Sequence, residues 1–250
     1  MSGHSKWSTI KRKKGAADVK RAAEFTKLAR FVEIAAKSGA DPEMNFRLKL
    51  AVQKARAANM PLVNIERAIK KGSGTGADKS QTEEVLYEGS GPASIAVLVQ
   101  ALTDNKNRTV SELRNAFTKA GGSLGTSGSA AWQFDQKGML VVPKNKAVDE
   151  LALIEAGAED LEDNGDEYEV FTDPKELNNV RQQIVDRHFE VTDSKLTMRP
   201  KSVVVLSDPV EARKALNFID SLEEHDDVVE VWTNLDIPDD TMKILTETEE

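Results

Sequence analysis

Apolar residues recur at helical spacing in three stretches at the start of the chain. They then give way to short apolar runs alternating with amphipathic stretches. Phe25, Leu28, Val32 and Ala35, with Phe31 and Ile34 widening the stripe, predict a helix from about Ala16 to Lys37 that ends at Gly39. Asp41-Pro42 reads as the cap and first turn of a second helix, with Met44, Leu48, Val52 and Ala55 inward and Asn59 at its end. Pro61 opens a short third helix through Ile65 and Ile69, closed by Gly72. Residues 72–80 are rich in Gly and Ser and read as a linker. They hold no Gly-Lys-Ser/Thr at phosphate-loop spacing.

Beyond the linker the period shortens. Ser94–Leu102 reads as a strongly apolar strand, Val110–Lys119 as a helix with Leu113 and Phe117 inward, and Ala130–Phe134 as a short strand. A strand from Met139 to Val142, a helix at Val148–Ala156 and strands at Ala158–Glu162 and Glu167–Phe171 follow. A helix at Pro174–Arg187 and a strand at Phe189–Lys195 complete the ferredoxin-like β-α-β-β-α-β order, with Asn164-Gly165 as the hairpin turn. Val203–Leu206, a helix over Pro209–Leu222 and Val228–Trp232 make another β-α-β half, whose natural complement is the half at 94–134. The expected fold is α+β: an N-terminal three-helix domain and two ferredoxin-like α/β domains, one inserted in the other. The expected boundaries are 1–76, 81–136 with 201–238, an insert at 137–200, and an acidic tail at 239–250.

Charge sharpens this division. The 250-residue chain has a net charge of −8, yet residues 1–72 carry a net +11 and residues 73–250 a net −19. A basic module on an acidic body points to a polyanionic partner for the module. The chain has no cysteine, so disulfides, thiolate metal sites and cysteine nucleophiles are excluded. His4, His188 and His225 form no ligand pair at metal spacing, and no cofactor is expected. No run is long and apolar enough to span a membrane, and no apolar core of a secretory signal opens the chain. A cytoplasmic location is expected, and without dimerisation heptads a monomer.

The candidate binding residues are cationic. Lys6, Lys11, Arg12, Lys13 and Lys14 surround Trp7, and Lys20, Arg21, Lys27 and Arg30 follow on the first helix. Lys and Arg neutralise phosphates, and tryptophan can either stack on an unpaired base or anchor the arm on the helices. Arg47, Lys54, Arg56, Arg67, Lys70 and Lys71 decorate the next two helices. A second candidate is the loop Thr103–Thr109, where Lys106, Asn107 and Arg108, with Arg114 beyond, stand out in the acidic body at a helix N-terminus. The glycine-rich stretch Gly121–Ser129 reads as a mobile connector, or as a loop whose amides approach phosphate. Gly121–Gly125 has the letters of a hydrolase elbow around Ser123, but the strand and helix that elbow needs stand in the reverse order. Carboxylates at Asp160–Glu167 and Glu223–Asp227 could hold Mg²⁺ or simply be solvated. No catalytic constellation emerges, and the protein is expected not to be an enzyme.

Several stretches resemble signatures of the YebC/PmpR family: Gly3–Trp7, Asn64–Ile69, Tyr87–Gly89, Thr103–Thr109, Gly121–Gly125 and Gly157–Asp160. The resemblance spans almost the whole chain. It implies a helical domain plus two α/β domains and no recognised catalytic residues. It also implies nucleic-acid work, since members are labelled DNA-binding transcriptional regulators, while mitochondrial relatives are translational activators and bacterial ones are connected to stalled ribosomes. The expected partners are therefore ribosomal or transfer RNA on the ribosome, with duplex DNA as the alternative. The chain departs from the family at Gly89–Ser94, where an aromatic and two glycines are replaced, and at Leu62-Val63, where a charged pair is usual. Leu62-Val63 could form a small apolar docking patch or pack onto the second helix.

Overall fold

A computed structural model describes residues 18–75, 81–145 and 148–247. Three helices come first: α1 (Asp18–Ala36), α2 (Phe46–Ala57) and α3 (Leu62–Gly72). They enclose a small core of Leu28, Val32, Ala35, Leu48, Ala51, Val52, Ala55 and Ile65. Gly72 is needed for proximity, because a Cβ there would lie 2.1 Å from the Glu33 carbonyl oxygen on α1.

The start of α2 differs from its sequence signal. Asp41 makes a local turn by accepting the Glu43 N–H, and Asn45, one turn later, is the true cap. Asn45 accepts the Leu48 N–H at 3.1 Å, while its amide nitrogen donates to the Ala35 and Gly39 carbonyls. One side chain thus opens α2 and binds one of the last carbonyls of α1 and one in the turn that follows it. Met44 consequently precedes the helix and is 87% exposed instead of joining the core.

Eight of the strands described form two four-stranded antiparallel sheets, one in each of two compact units. In one unit the three helices are joined by strands β1 (Glu83–Ser90), β2 (Ala96–Thr103), helix α4 (Lys106–Lys119) and strand β3 (Ser123–Leu124). The segment Trp132–Val203 is the other unit. It holds β4 (Phe134–Pro143), α5 (Glu150–Glu155), β5 (Asp160–Asp163), β6 (Glu167–Thr172), α6 (Leu177–Asp186) and β7 (Asp193–Pro200). The chain then returns to the first unit with β8 (Val204–Val205), α7 (Pro209–Glu223), β9 (Val228–Thr233), β10 (Leu235–Asp236) and α8 (Asp239–Glu247).

The inserted sheet has the order β5-β6-β4-β7, all antiparallel, which is the ferredoxin-like arrangement. The outer sheet has the order β3-β1-β2-β9. Its β1–β2 hairpin, registered from Glu83↔Thr103 to Ser90↔Ala96, replaces the expected strand at Ala130–Phe134. That stretch is instead a 3-10 turn leading into β4, and Val204–Val205 pairs with β10 outside the main sheet. The expected strand at Phe189–Lys195 lies later, at Asp193–Pro200, because His188 turns the chain with φ 64 after α6. The outer core joins Val97 and Val99 of β2 to Leu113 and Phe117 of α4 and Leu216 and Ile219 of α7. Phe117 and Phe218 meet edge to face at 4.9 Å. Where an acidic tail is expected, α8 adds Met242 and Leu245 to this core.

The tip of the β1–β2 hairpin is strained. Ala93 and Ser94, where the resembled family has glycines, have φ of 54 and 61, in the left-handed region that side chains disfavour. Both are exposed, so no packing compensates. Ala93→Gly and Ser94→Gly are each expected to raise stability by about 1 kcal/mol. Urea denaturation checks this, and a loss of stability on either change would contradict the strain.

Candidate nucleic-acid interface

Among the described residues, the cations of the helical module divide into an engaged set and a free set. The engaged set centres on Asp227, which is 1% exposed in the turn between α7 and β9. A bulge in the β2–β9 register and a hydrogen bond from the Leu102 N–H to the Asp227 carbonyl hold that turn against the end of β2. Its two carboxylate oxygens accept from three side chains. Arg30 of α1 donates to Oδ1 at 2.6 Å, while Arg108 and Thr109 of α4 donate to Oδ2 at 2.8 and 2.7 Å. Arg30 also reaches the Leu102 and Asp226 carbonyls. Burial alone would raise the Asp227 pKa; the hydrogen bonds from Arg108, Thr109 and Arg30 outweigh it and lower the pKa to about 2.

Further contacts extend this seam within the same compact unit. Lys27 donates to the Glu223 carbonyl at 2.5 Å, and burial lowers its pKa against the pull of Asp226 and Glu223. Lys37 donates to the Thr82 carbonyl at 2.6 Å, and Arg47 holds the Glu84 carboxylate at 2.7 Å. The expected phosphate loop is therefore only partly open. Lys106 pairs with Glu83 at 2.6 Å and Arg108 with both Asp227 and Asp104, whereas Asn107 and Arg114 face solvent. Asn105 caps α4 by accepting the Arg108 N–H, and the Thr109 hydroxyl lies 2.8 Å from that of Thr103.

The free set is on the outer faces of α2 and α3. Arg56, Arg67 and Lys70 are exposed and make no ion pair among the described residues. Lys54 is exposed too, with its ammonium over the Phe31 ring at 5.9 Å. Val63, Arg67 and Lys70 form one stripe on α3, at positions i, i+4 and i+7. Leu62 and Val63 are 55% and 64% exposed, so they do not pack onto α2. The free cations can be singled out from sequence by projecting α3 on a helical wheel; their lack of acidic partners cannot. Lys6, Trp7, Lys11, Arg12, Lys13 and Lys14 lie outside the described residues. So do the side chains of Lys20 and Arg21, whose backbone belongs to α1.

Other sequence candidates are accounted for by internal partners. The glycine-rich loop is organised around Glu88 of β1, a carboxylate 5% exposed. Gly128, Ala130 and Ala131 donate their backbone N–H groups to it at 2.7, 2.8 and 2.8 Å. Burial would raise the Glu88 pKa, but these three donors bring it below the usual value. Ser123 follows α4 on β3 and pairs with Ser90 of β1, away from any elbow. Asp160 and Glu162 both bind Arg199, and Asp163 pairs with Lys144, so these acids serve as ion-pair partners on the inserted sheet.

Glu112, His225 and Asp227 bring one ligand atom each within 4.8 Å of one another. The imidazole, however, has no lone pair left for a metal. His225 Nδ1 accepts the Asp227 N–H at 3.1 Å, which places the ring proton on Nε2, donated to Glu112 at 2.8 Å. The two guanidinium groups already supply the positive charge at Asp227. No helix of the described residues is long and apolar enough to cross a membrane.

The chain is similar to known proteins over almost its whole length. A family model described as the TACO1/YebC protein N-terminal domain matches residues 5–75, and one described as the TACO1/YebC second and third domain matches residues 82–235. A protein of Rubrobacter xylanophilus named "Probable transcriptional regulatory protein" is 50% identical over 246 residues, covering 97% of this chain and 98% of its own. One of Geotalea uraniireducens with the same name is 49% identical over 245 residues, covering 97% and 98%. The crystal structure of a conserved hypothetical protein from Aquifex aeolicus has a TM-score of 0.81 and 42% identity, covering 89% of this chain and 93% of that one.

Proposed function

The chain belongs to the TACO1/YebC family, and from that premise we propose that it is a non-enzymatic, nucleic-acid-binding regulator of gene expression that acts on ribosome-associated RNA in the cytoplasm, as a monomer. The observation that carries this reading is the pair of α2 and α3 faces on which Arg56, Arg67 and Lys70 stand exposed and without an ion pair among the described residues, while the other side of the module is docked. Such cations attract phosphate and release counterions whatever the base sequence. Base-edge reading by a helix commonly places polar side chains such as Arg, Lys, Asn or Gln along its exposed start. The first turn of α3 exposes Leu62 and Val63 and leaves Asn64 half-buried, while Arg67 and Lys70 stand further along the helix, which favours backbone contact over sequence reading. The basic arm, with Lys11, Arg12, Lys13, Lys14, Lys20 and Arg21, would add further phosphate contacts and Trp7 a stacking surface.

A second reading is favoured by the relatives' names. Proteins called probable transcriptional regulatory proteins suggest a regulator that uses the same cations on duplex DNA. For either target, Arg56→Gln, Arg67→Gln and Lys70→Gln together are expected to reduce the slope of log affinity against log salt by about 2–3. Fluorescence anisotropy with a ribosomal RNA fragment measures this, and an unchanged slope would remove these helices from the interface.

A further inference from the structure

The outer face of α4 carries a second, distinct set of groups. From Leu113 to Phe134 the chain has no Asp or Glu, although it lies in the acidic part of the molecule. Within α4, Thr109, Leu113 and Phe117 face the core. On the opposite side Ser111, Arg114, Asn115 and Thr118 are exposed, flanked by Lys119. Among the described residues, Arg114 and Lys119 make no ion pair, and the side chains of Ser111 and Asn115 have no hydrogen-bond partner. Thr118 donates its hydroxyl proton to the Arg114 carbonyl at 2.8 Å, which leaves its oxygen free to accept. The acid on the helix flank, Glu112, is held by His225. The whole helix is about 21 Å long, enough for several consecutive nucleotides.

We propose that this face binds RNA, with Arg114 and Lys119 on phosphates and Ser111, Asn115 and Thr118 on ribose 2′-hydroxyls. Charge alone attracts any nucleic acid and carries no preference between RNA and DNA. Small donors and acceptors set between two free cations, on a rigid helix, match the 2′-hydroxyl, which both donates and accepts and is absent from DNA. The face is anchored for this task, because the first turn of α4 is fixed through Arg108 and Thr109 on Asp227. This inference rests on the proposed RNA-binding function and adds a second contact face with a means of telling RNA from DNA.

The test uses the full chain with a short fluorescein-labelled RNA of mixed sequence and its deoxy counterpart. The wild type is expected to prefer the RNA. The triple variant Ser111→Ala, Asn115→Ala, Thr118→Ala is expected to lose about three- to tenfold of that preference while its DNA affinity holds. The double variant Arg114→Gln, Lys119→Gln is expected to weaken both ligands and to lower the salt slope by about 2. All five positions are exposed, and an unchanged thermal melt will show that the variants fold. An RNA preference untouched by the triple variant would overturn the ribose assignment. If the α4 variants bind as the wild type does while the Arg56, Arg67, Lys70 variant does not, the α4 face is wrong and the general function stands. If the wild type binds neither ligand, both fall.

Discussion

Replacing Asp227 by asparagine is expected to lower the melting temperature by about 5–10 °C and to loosen the helical module. Its carboxylate receives Arg30 of α1 and Arg108 of α4 together. Asparagine would leave two guanidinium groups facing each other across a neutral amide that itself carries donors. Breaking a fully buried pair costs about 3–5 kcal/mol; here Arg30 and Arg108 keep 24% and 44% of their exposure, so about 2–3 kcal/mol is expected. Hydrogen exchange in α1 is expected to rise more than in β4–β7, because α1 loses a tether while the inserted sheet loses nothing. Uniform acceleration over both would contradict the seam.

The same residue predicts an acid limb. The Asp227 pKa is lowered to about 2 in the folded protein and returns to an ordinary value on unfolding. A lowered carboxylate pKa stabilises the fold at pH values above the unfolded pKa, and that contribution disappears as the pH falls through the folded one. The wild type should therefore gain about 2 kcal/mol from Asp227 above roughly pH 4 and lose it between about pH 4 and pH 2. In urea titrations across that range the gap between the wild type and the Asp227→Asn variant should close. A gap that stays constant to pH 2 would show that the charge of Asp227 is not what holds the seam.

Glu88→Ala is expected to destabilise the outer domain by about 3 kcal/mol or more. Three N–H groups lose their acceptor at once, and burial keeps water from replacing it fully. The loop from Gly121 to Ser129 should become accessible to protease, since its closing contacts end on that carboxylate. Gln in place of Glu should recover only part of the loss, because its amide turns one donor toward other donors. Wild-type stability in the alanine variant would show that the loop is organised by something else.

Much of this fold is legible in the sequence because helical and strand periods are strong where packing is one-sided. The stripe through Leu28, Val32 and Ala35 and the βαββαβ order of the insert are readable for that reason. Strand β1 escapes a sequence reading because its buried positions are Glu88 and Gly89, which no hydrophobic alternation reveals. Gly89 is there because a Cβ would meet the Phe117 ring at 2.5 Å. Helix α8 is hidden by its acids, with only Met242 and Leu245 marking its inner face. The charge split points to the basic module, but it does not tell engaged cations from free ones. Arg30 and Arg108 look like phosphate ligands in sequence, and only the fold brings Asp227, more than a hundred residues away, to both. Conversely, Arg56, Arg67 and Lys70 gain weight because the fold gives them no ion-pair partner among the described residues.

The most direct test of the central claim, that the free cations of the helical module serve an RNA target on the ribosome, is co-sedimentation of the full chain with ribosomes across a salt series, with an equal mass of duplex DNA as competitor. Retention on ribosomes despite the DNA, lost in the Arg56, Arg67, Lys70 variant, is the predicted result. Transfer of the wild type to the DNA would contradict it and put the transcriptional reading first.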